Sequence, residues 1–354
     1  MTERSPGPST QDAERPLVDA EALTRYLDDV LPGEGGFEVE RHQAGHSNET
    51  FFIRRSGQEW VLRRPPRGAF LPTAHDVMRE HRVLSALADT PVRTPRPLVA
   101  CEDQSVIGAP FYVMERVEGI VVRERLPDWA TEPERRRAGE ELIDALVELH
   151  AVDWQGVGLE GWGRASGYLD RQLKRWSGQL ELTMPLTRAL PDLEKVGAWL
   201  AENKPESPPS TIVHGDYKLD NVVLAAGPPA RITGILDWEM STIGDPIADL
   251  GYMLSFWREP GDEADRRLSA HLEVARQPGF PSREELAERY AERSGRHVGD
   301  VTWDEVLATW KLAILLEGSY ARHLAGVTDD PFFALLEEGV PALARRALGV
   351  AETG

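Results

Sequence analysis

The chain has 354 residues, of which 41% are hydrophobic and 28% are charged, as expected for a globular protein long enough for two packed lobes. Its formal net charge is −19, which disfavours a nucleic-acid partner because phosphate backbones repel an acidic surface. No apolar run approaches the roughly 18 residues that span a bilayer, and a lone cysteine, Cys101, excludes an intrachain disulfide, so we predict a cytoplasmic protein without a membrane partner.

The first third of the chain is predicted to form a small lobe of strands and two helices. Residues 1–17 lack an apolar segment and are predicted to be a disordered lead. The next segments are a helix at 18–31, strands at 37–45, 49–55 and 59–65, a helix at 74–89 and a strand at 110–119. Turn signals at 33–36 and at Ser56-Gly57 separate the strands, as in an antiparallel meander. We therefore predict an N-lobe over 18–117.

The remainder, 118–354, is predicted to be a larger and mostly helical C-lobe. Helices are predicted at 133–152, 168–177, 181–203 and 303–324. Two short strand-like pieces, TIVHGDYKLDNVVL and ARITGILDWEM, flank a loop in its middle. The fold class is α+β, with a small antiparallel-sheet lobe joined to a larger helical lobe.

The loop in the middle of the C-lobe contains the candidate catalytic residues. An apolar run delivers His214-Gly215-Asp216, Asn221 follows five residues later, and a further apolar run ends at Asp237. Phosphoryl transfer needs a carboxylate to orient and deprotonate a hydroxyl, together with oxygen ligands for Mg²⁺ on the phosphates. Asp216 suits the first role, and Asn221 and Asp237 suit the second. These side chains could instead be turn and cap residues, as Asp and Asn often are.

These motifs resemble those of the aminoglycoside phosphotransferase and choline kinase group, which shares the two-lobed protein-kinase-like fold. HGDYKLDN, LDWEMSTIGDPIADLGY and VIGAPFYVMERVEG carry the likeness, together with LRRPP and LHAVDW. The likeness covers roughly residues 20–345. It is strongest to members related to the kinase-like domain attached to some acyl-CoA dehydrogenases. It implies a Mg²⁺-dependent enzyme that moves the γ-phosphate of ATP or GTP onto a hydroxyl of a small molecule.

The resemblance also implies a set of nucleotide-binding residues in the N-lobe. In HQAGHSNETFFI, Ser47 and Asn48 would present side chains and amides to phosphate. Arg63 would contact the α- and β-phosphates and pair with Glu80. An arginine at that position differs from the lysine of protein kinases, but its planar fork also grips phosphate. The alternative is that Arg63 is a surface arginine beside Arg64 and that Glu80 is solvated.

The FYVMERVEG strand would contact the nucleotide base. Met114 would lie behind the adenine, while the Glu115 carbonyl and the Val117 amide would bind its edge. Such main-chain contacts do not depend on side-chain identity, so the sequence tests them little. A plain connector from a strand to a helix remains an alternative.

Further polar residues lie in or near the predicted catalytic loop, residues 214–221. Lys218 could neutralise charge on the transferred phosphoryl group or be solvent-exposed. Glu239 could bind a second metal ion or the substrate, or form a salt bridge. His214 is predicted to brace the loop through a backbone hydrogen bond. Asp245 and Asp249 are predicted to be scaffold residues that cap a helix and accept backbone N–H bonds.

Two other classes of function remain open. A nucleotide-binding pseudokinase is favoured by Arg63 and the glycine-poor loop around Gly45, but it leaves Asp216 and Asp237 without a role. A metal-dependent hydrolase would use His214, Asp216, Asp237 and Asp245, although no compact zinc motif such as H-E-x-x-H is present. The acceptor (aminoglycoside, amino alcohol, sugar or hydroxyacyl-CoA) and the oligomeric state are not fixed by any motif.

Overall fold

The computed structural model describes residues 16–42, 48–67, 76–262, 270–327 and 330–353. Contacts divide these residues into two units. The smaller unit comprises the described residues up to Asp89 together with Thr94–Val117, and the larger unit comprises Thr90–Arg93 and the described residues from Glu118 onward.

The smaller unit is a five-stranded antiparallel sheet with two helices. Its elements are α1 (Ala20–Leu27), β1 (Glu38–His42), β2 (Glu49–Arg55), β3 (Gln58–Arg64), α2 (Val77–Leu87), β4 (Pro97–Cys101) and β5 (Phe111–Glu115). The strand order is β1-β2-β3-β5-β4. The predicted meander and both helices are confirmed, whereas β4 was missed because Pro91, Pro95 and Pro97 in this segment argue against a strand. β4 is an edge strand, where proline is tolerated.

A two-residue turn sets the register of the central hairpin. Arg55 pairs with Gln58, so Ser56 and Gly57 alone connect β2 to β3. Both have positive φ angles, 49° and 78°, which is the type I′ geometry that matches strand twist. With this register, alternate residues such as Ile53 and Leu62 point into the same apolar core as Leu23 of α1.

Helix α2 carries a buried carboxylate on its inner face. Asp76 caps the helix, and its side chain accepts hydrogen bonds from the amides of Met78 and Arg79 at 3.1 and 3.0 Å. Glu80 lies in the first turn with only 1% of its surface exposed. This burial requires a cationic partner, which β3 supplies.

The larger unit is mainly helical, with two small two-stranded sheets. Its helices are α3 (Glu132–His150), α4 (Tyr168–Thr183), α5 (Pro191–Glu202), α6 (Pro246–Phe256), α7 (Arg283–Ser294), α8 (Thr302–Leu324), α9 (Pro331–Ala334) and α10 (Leu336–Thr353). Its strands are β6 (Thr211–Val213), β7 (Val222–Leu224), β8 (Ile232–Ile235) and β9 (Thr242–Gly244). β6 pairs with β9, and β7 pairs with β8. Of the helices in the described ranges, none is long and apolar enough to cross a bilayer.

The prediction of one helix over 181–203 was wrong. Helix α4 continues to Thr183, a short 3₁₀ turn covers Met184–Leu186, and α5 begins only at Pro191. Pro185 and Pro191 explain the break, since proline lacks the N–H that a helix interior needs but suits a helix start. The expected break between 177 and 181 does not occur.

Arg188 ties this broken segment to the helical core. Its guanidinium contacts Glu317 Oε2 of α8 at 2.9 Å and donates to the Leu336 carbonyl at 2.9 Å. The Glu317 side chain is fully buried. Arg188 also lies over the Tyr320 ring, at 4.6 Å from its centroid.

We expect Arg188→Ala to lower the free energy of unfolding by about 3 kcal/mol, because it leaves a buried carboxylate without its cation. Urea unfolding measures this. The double variant Arg188→Met/Glu317→Met should lose less than the single one, since both charges are then removed. Lys195→Ala, which breaks an exposed pair with Asp192, serves as control and should change stability by no more than about 0.5 kcal/mol. Equal losses in the single and double variants would contradict this account.

Candidate active site

A buried strand leads into the predicted catalytic loop. Thr211–Val213 (β6) pairs with Thr242–Gly244 (β9) and leads directly into His214 and Gly215. Gly215 has a φ of +83°, and a Cβ placed there would lie 2.7 Å from the carbonyl oxygen of Met240. Only glycine makes this turn without strain, so the residue before Asp216 is fixed by the backbone.

Asp249 of α6 holds the loop by its backbone. Its Oδ2 accepts a hydrogen bond from the His214 amide at 2.5 Å, and its Oδ1 accepts one from the Gly215 amide at 2.8 Å. Burial alone would raise the pKa of Asp249, but hydrogen bonds and nearby histidines outweigh it and hold that pKa below its ordinary value. The predicted scaffold role of Asp249 is confirmed. Asp245 likewise caps α6 through the Ile247 amide at 2.8 Å.

The His214 ring joins the catalytic loop to the end of β8. Its Nε2 lies 2.8 Å from the Leu236 carbonyl oxygen, and its Nδ1 accepts a hydrogen bond from the Asp216 amide at 3.3 Å. The ring packs on Trp238 at 4.9 Å between centroids. The side chain is fully buried, and the predicted bracing role is confirmed.

The Asp216 carboxylate accepts four side-chain hydrogen bonds. Lys218 Nζ donates to both oxygens, at 2.9 and 2.8 Å. Asn221 Nδ2 donates to Oδ2 at 2.7 Å, and the Tyr252 hydroxyl donates to Oδ1 at 2.5 Å. These donors come from the loop itself and from α6, so the carboxylate is held from two directions.

This environment keeps Asp216 ionised. Burial would raise the pKa of Asp216, but the charge and hydrogen bonds of Lys218 and the Tyr252 hydroxyl outweigh it and lower that pKa below its ordinary value. Conversely, burial would lower the pKa of Lys218, but the charges of Asp216 and Asp220 raise it. Both groups are therefore charged at neutral pH.

The β7–β8 hairpin brings Asn221 and Asp237 to the same end. Val222 at the start of β7 pairs with Ile235 at the end of β8, so the residues flanking the two strands are neighbours. The Leu236 amide donates to the Asn221 carbonyl at 2.8 Å. Asp237 follows directly, in a left-handed conformation with φ 64° and ψ 64°. Strained backbone of this kind recurs at functional sites.

The pair suits a magnesium ion. Because Asn221 Nδ2 donates to Asp216, the amide oxygen of Asn221 is the atom that can ligate, and Asp237 adds a carboxylate. Such oxygen donors are those that Mg²⁺ prefers, with water and phosphate completing its shell. Glu239 lies two residues further on, half-buried in the 3₁₀ turn Trp238–Met240.

The set of residues considered for a hydrolase does not form a metal cluster. Within the described ranges, no group of three or more His, Cys, Asp or Glu side chains is arranged to hold a metal ion. His214 and Asp245, which also belong to that set, have structural partners instead. The His214 ring bonds the Leu236 carbonyl, and the Asp245 side chain caps α6.

The predicted nucleotide-binding residues lie in the smaller unit. Arg63 of β3 contacts Glu80 of α2 at 2.8 Å, and both side chains are buried. Asn48 is buried directly before β2, and Met114 is buried on β5. Glu115 ends β5 and Val117 follows it, half-buried. Ser47 and Gly45 lie outside the described residues.

Two residues of the site were missed from the sequence. Tyr252 lies on α6 three residues after Asp249, hence on the same helix face, and this spacing could have indicated it. Lys311 of α8 donates to the Gly215 carbonyl at 2.9 Å. The available signal was a lone lysine in the apolar stretch WKLAILL.

Comparisons with known proteins identify the family and the fold of the chain. Residues 38–292 match the phosphotransferase enzyme family (APH). A candidate aminoglycoside phosphotransferase from Ralstonia eutropha has 31% identity and a TM-score of 0.79, over 95% of this chain and 98% of that one. A thermostable mutant of aminoglycoside phosphotransferase APH(4)-Ia, in complex with AMP-PNP and hygromycin B, has 14% identity and a TM-score of 0.58, over 95% and 99%; this likeness shows the fold alone.

Among curated sequences, acyl-CoA dehydrogenase family member 11 of Rattus norvegicus is 33% identical over 338 residues. The match covers 93% of this chain but 43% of that protein, so the chain spans less than half the length of this relative. The predicted two-lobed α+β kinase-like fold is confirmed by the solved structures. The chain belongs to the phosphotransferase enzyme family.

Proposed function

We propose that the chain is a Mg²⁺-dependent phosphotransferase that moves the γ-phosphate of ATP or GTP onto a hydroxyl of a small molecule. The observation that carries the proposal is the geometry of the Asp216 carboxylate, which accepts hydrogen bonds from Lys218, Asn221 and Tyr252. Asn221 also belongs to the hairpin end that presents Asp237. A base and two oxygen ligands are the protein groups that phosphoryl transfer requires.

Asp216 would act as the base that orients the acceptor. It accepts the hydroxyl proton while the hydroxyl oxygen forms a bond to the γ-phosphorus. The bond from that phosphorus to the β,γ-bridging oxygen breaks, and the nucleoside diphosphate leaves with the electron pair. The lowered pKa of Asp216 does not prevent this role. In a loose transition state the hydroxyl needs mainly to be oriented, and its proton passes to Asp216 late.

Cationic and metal-binding groups would stabilise the transferred phosphoryl group. Lys218 is placed to neutralise charge that develops on its oxygens. When bound through Asn221 and Asp237, magnesium supplies further charge neutralisation on the phosphates. In the smaller unit, Arg63, held by Glu80, is assigned to phosphate contacts, and Asn48, Met114, Glu115 and Val117 are assigned to the rest of the nucleotide.

The test is an ADP- and GDP-release screen over aminoglycosides, choline-like amines, sugars and hydroxyacyl-CoAs. Charged groups of both signs lie near Asp216, including Lys218, Asp220 and Lys311, so the panel includes cationic and anionic acceptors. We expect at least one acceptor to give diphosphate release that needs Mg²⁺, with a phosphorylated product visible by mass spectrometry.

The Asp216→Asn variant provides the background rate of the same screen. Release that is equal in both proteins reports contamination rather than transfer. Mg²⁺-dependent nucleotide binding by calorimetry without release for any acceptor would contradict the proposal and favour a nucleotide-binding module.

A further inference from the structure

Lys311 is a cationic residue on α8, a helix with many buried residues. Its neighbours on α8, among them Leu307, Trp310 and Ile314, are buried in the main cluster of the larger unit. Lys311 Nζ donates to the Gly215 carbonyl at 2.9 Å. A residue 96 positions downstream therefore reaches the turn directly before Asp216.

This bond fixes one peptide group. The Gly215 carbonyl and the Asp216 amide belong to the same plane. The carbonyl oxygen is held by Lys311, while the amide of that plane donates to His214 Nδ1 at 3.3 Å. Both the carbonyl and the amide of the peptide group that precedes the Asp216 side chain are therefore held by hydrogen bonds.

A second path runs through Tyr252. Lys311 Nζ lies 4.7 Å from the centroid of the Tyr252 ring, within the range of a cation–π interaction. The hydroxyl of the same ring donates to Asp216 Oδ1. Lys311 thus acts on the backbone of Asp216 and on one of its side-chain partners.

The surroundings of Lys311 in the folded protein disfavour its positive charge. In the described part of the chain, it forms no ion pair within 4.0 Å. Burial lowers its pKa to about 8; Asp216 and Asp249 oppose this shift, while Arg175 and Lys218 add to it. Asp304 lies two turns earlier on the same face of α8 and lines a small cavity together with Lys311, and burial raises the pKa of Asp304 well above its ordinary value.

We propose that Lys311 is a positioning residue for phosphoryl transfer, which sets the Gly215–Asp216 peptide and the Tyr252 ring so that Asp216 meets the acceptor hydroxyl. The inference deepens the proposed function and rests on it for its kinetic consequences. Its structural consequence, a loop ordered by Lys311, can be measured without any acceptor.

The stability of a Lys311 variant distinguishes a positioning role from a packing role. A lysine whose folded-state pKa lies below its unfolded value costs stability while it is charged, and stability rises with pH from about 8 to the unfolded value. Replacing Lys311 by methionine removes that half-buried charge. The melting temperature should therefore stay the same or rise, while order in the catalytic loop is lost.

The first measurement is hydrogen–deuterium exchange of the full chain. In Lys311→Met, we expect faster exchange at the amides of His214, Gly215 and Asp216, which are hydrogen-bonded in the parent protein. Exchange in β7 and β8 should not change. Lys195→Met, at an exposed lysine of α5, is the matched control and should leave the loop as it is.

The second measurement is the pH dependence of kcat with an acceptor found in the screen. Lys311→Met should lower kcat by about 10²-fold with little change in the nucleotide KM, as expected for a misplaced catalytic group. The parent protein should lose kcat above about pH 8 as Lys311 loses its proton. Lys311→Arg keeps the charge and should restore part of kcat without that alkaline loss.

Unchanged loop exchange in Lys311→Met would overturn the inference, whatever the acceptor screen finds. A fall in melting temperature with proportionate loss of kcat, or an alkaline loss that persists in Lys311→Arg, would also overturn it. If no acceptor is found but loop exchange rises as expected, the proposed function fails while the loop-ordering role of Lys311 stands.

Discussion

Asp216→Asn is expected to reduce kcat by about 10²–10⁴-fold, the usual contribution of a positioned general base. Asparagine has nearly the same shape but cannot accept the hydroxyl proton. It also turns an amide donor toward the donors that surround position 216, namely Lys218, Asn221 and Tyr252. Single-turnover product formation at saturating nucleotide measures the chemical step directly.

The matched control is Asp220→Asn, in the same loop. Asp220 approaches Lys218 at 4.0 Å but is not among the groups bonded to Asp216. Its replacement removes a nearby negative charge and should cost far less than the change at Asp216. Similar losses in the two variants would show that the loop needs net charge rather than a base at one position.

Asp237→Asn is expected to lower kcat by about 10²–10³-fold at ordinary Mg²⁺ concentration, comparable to the loss of one electrostatic stabilising group. Asparagine tolerates the left-handed backbone that Asp237 adopts, so the fold should be preserved. The loss should shrink as Mg²⁺ is raised, because the amide oxygen is a weaker ligand than the carboxylate. A Mg²⁺ titration of turnover and of nucleotide affinity measures both effects.

Asp237→Gly separates the metal role from backbone strain. Glycine adopts φ 64° freely, so the free energy of unfolding of this variant should lie within about 1 kcal/mol of that of the parent or exceed it. The variant should nevertheless lack Mg²⁺-dependent turnover. An unchanged Mg²⁺ dependence in both variants would remove Asp237 from the metal site.

Much of the secondary structure of the smaller unit could be predicted from the sequence, because it depends on residues close together in the chain. Alternating apolar residues and the Ser56-Gly57 turn fix the β2–β3 hairpin, whose register depends only on neighbouring residues. β4 escaped because its residues Pro97–Cys101 become a strand only by pairing with β5, a tertiary contact. The break after Thr183 was misplaced because Gly178, a poor helix residue, is tolerated within α4.

The candidate site was predictable where its residues share one stretch of sequence. Asp216, Asn221 and Asp237 lie on one loop and one hairpin, so their spacing indicated their convergence. Lys311 and Tyr252 reach Asp216 from α8 and α6, and only the packing of those helices brings them there. A half-buried lysine that donates to the carbonyl of a distant loop is a property of the folded chain that no local pattern reveals.

The four donors around Asp216 have a consequence for the order of events. A carboxylate has about four lone-pair sites, and here all are filled, so an incoming alcohol finds none vacant. Tyr252 is anchored in a helix and Asn221 is tied to the loop backbone, which leaves the long, rotatable Lys218 as the donor most free to depart. An anionic nucleotide would draw that ammonium away and vacate two sites at once. For a phosphotransferase, such an arrangement favours donor binding before acceptor binding and keeps the base occupied, and water unactivated, while no nucleotide is present.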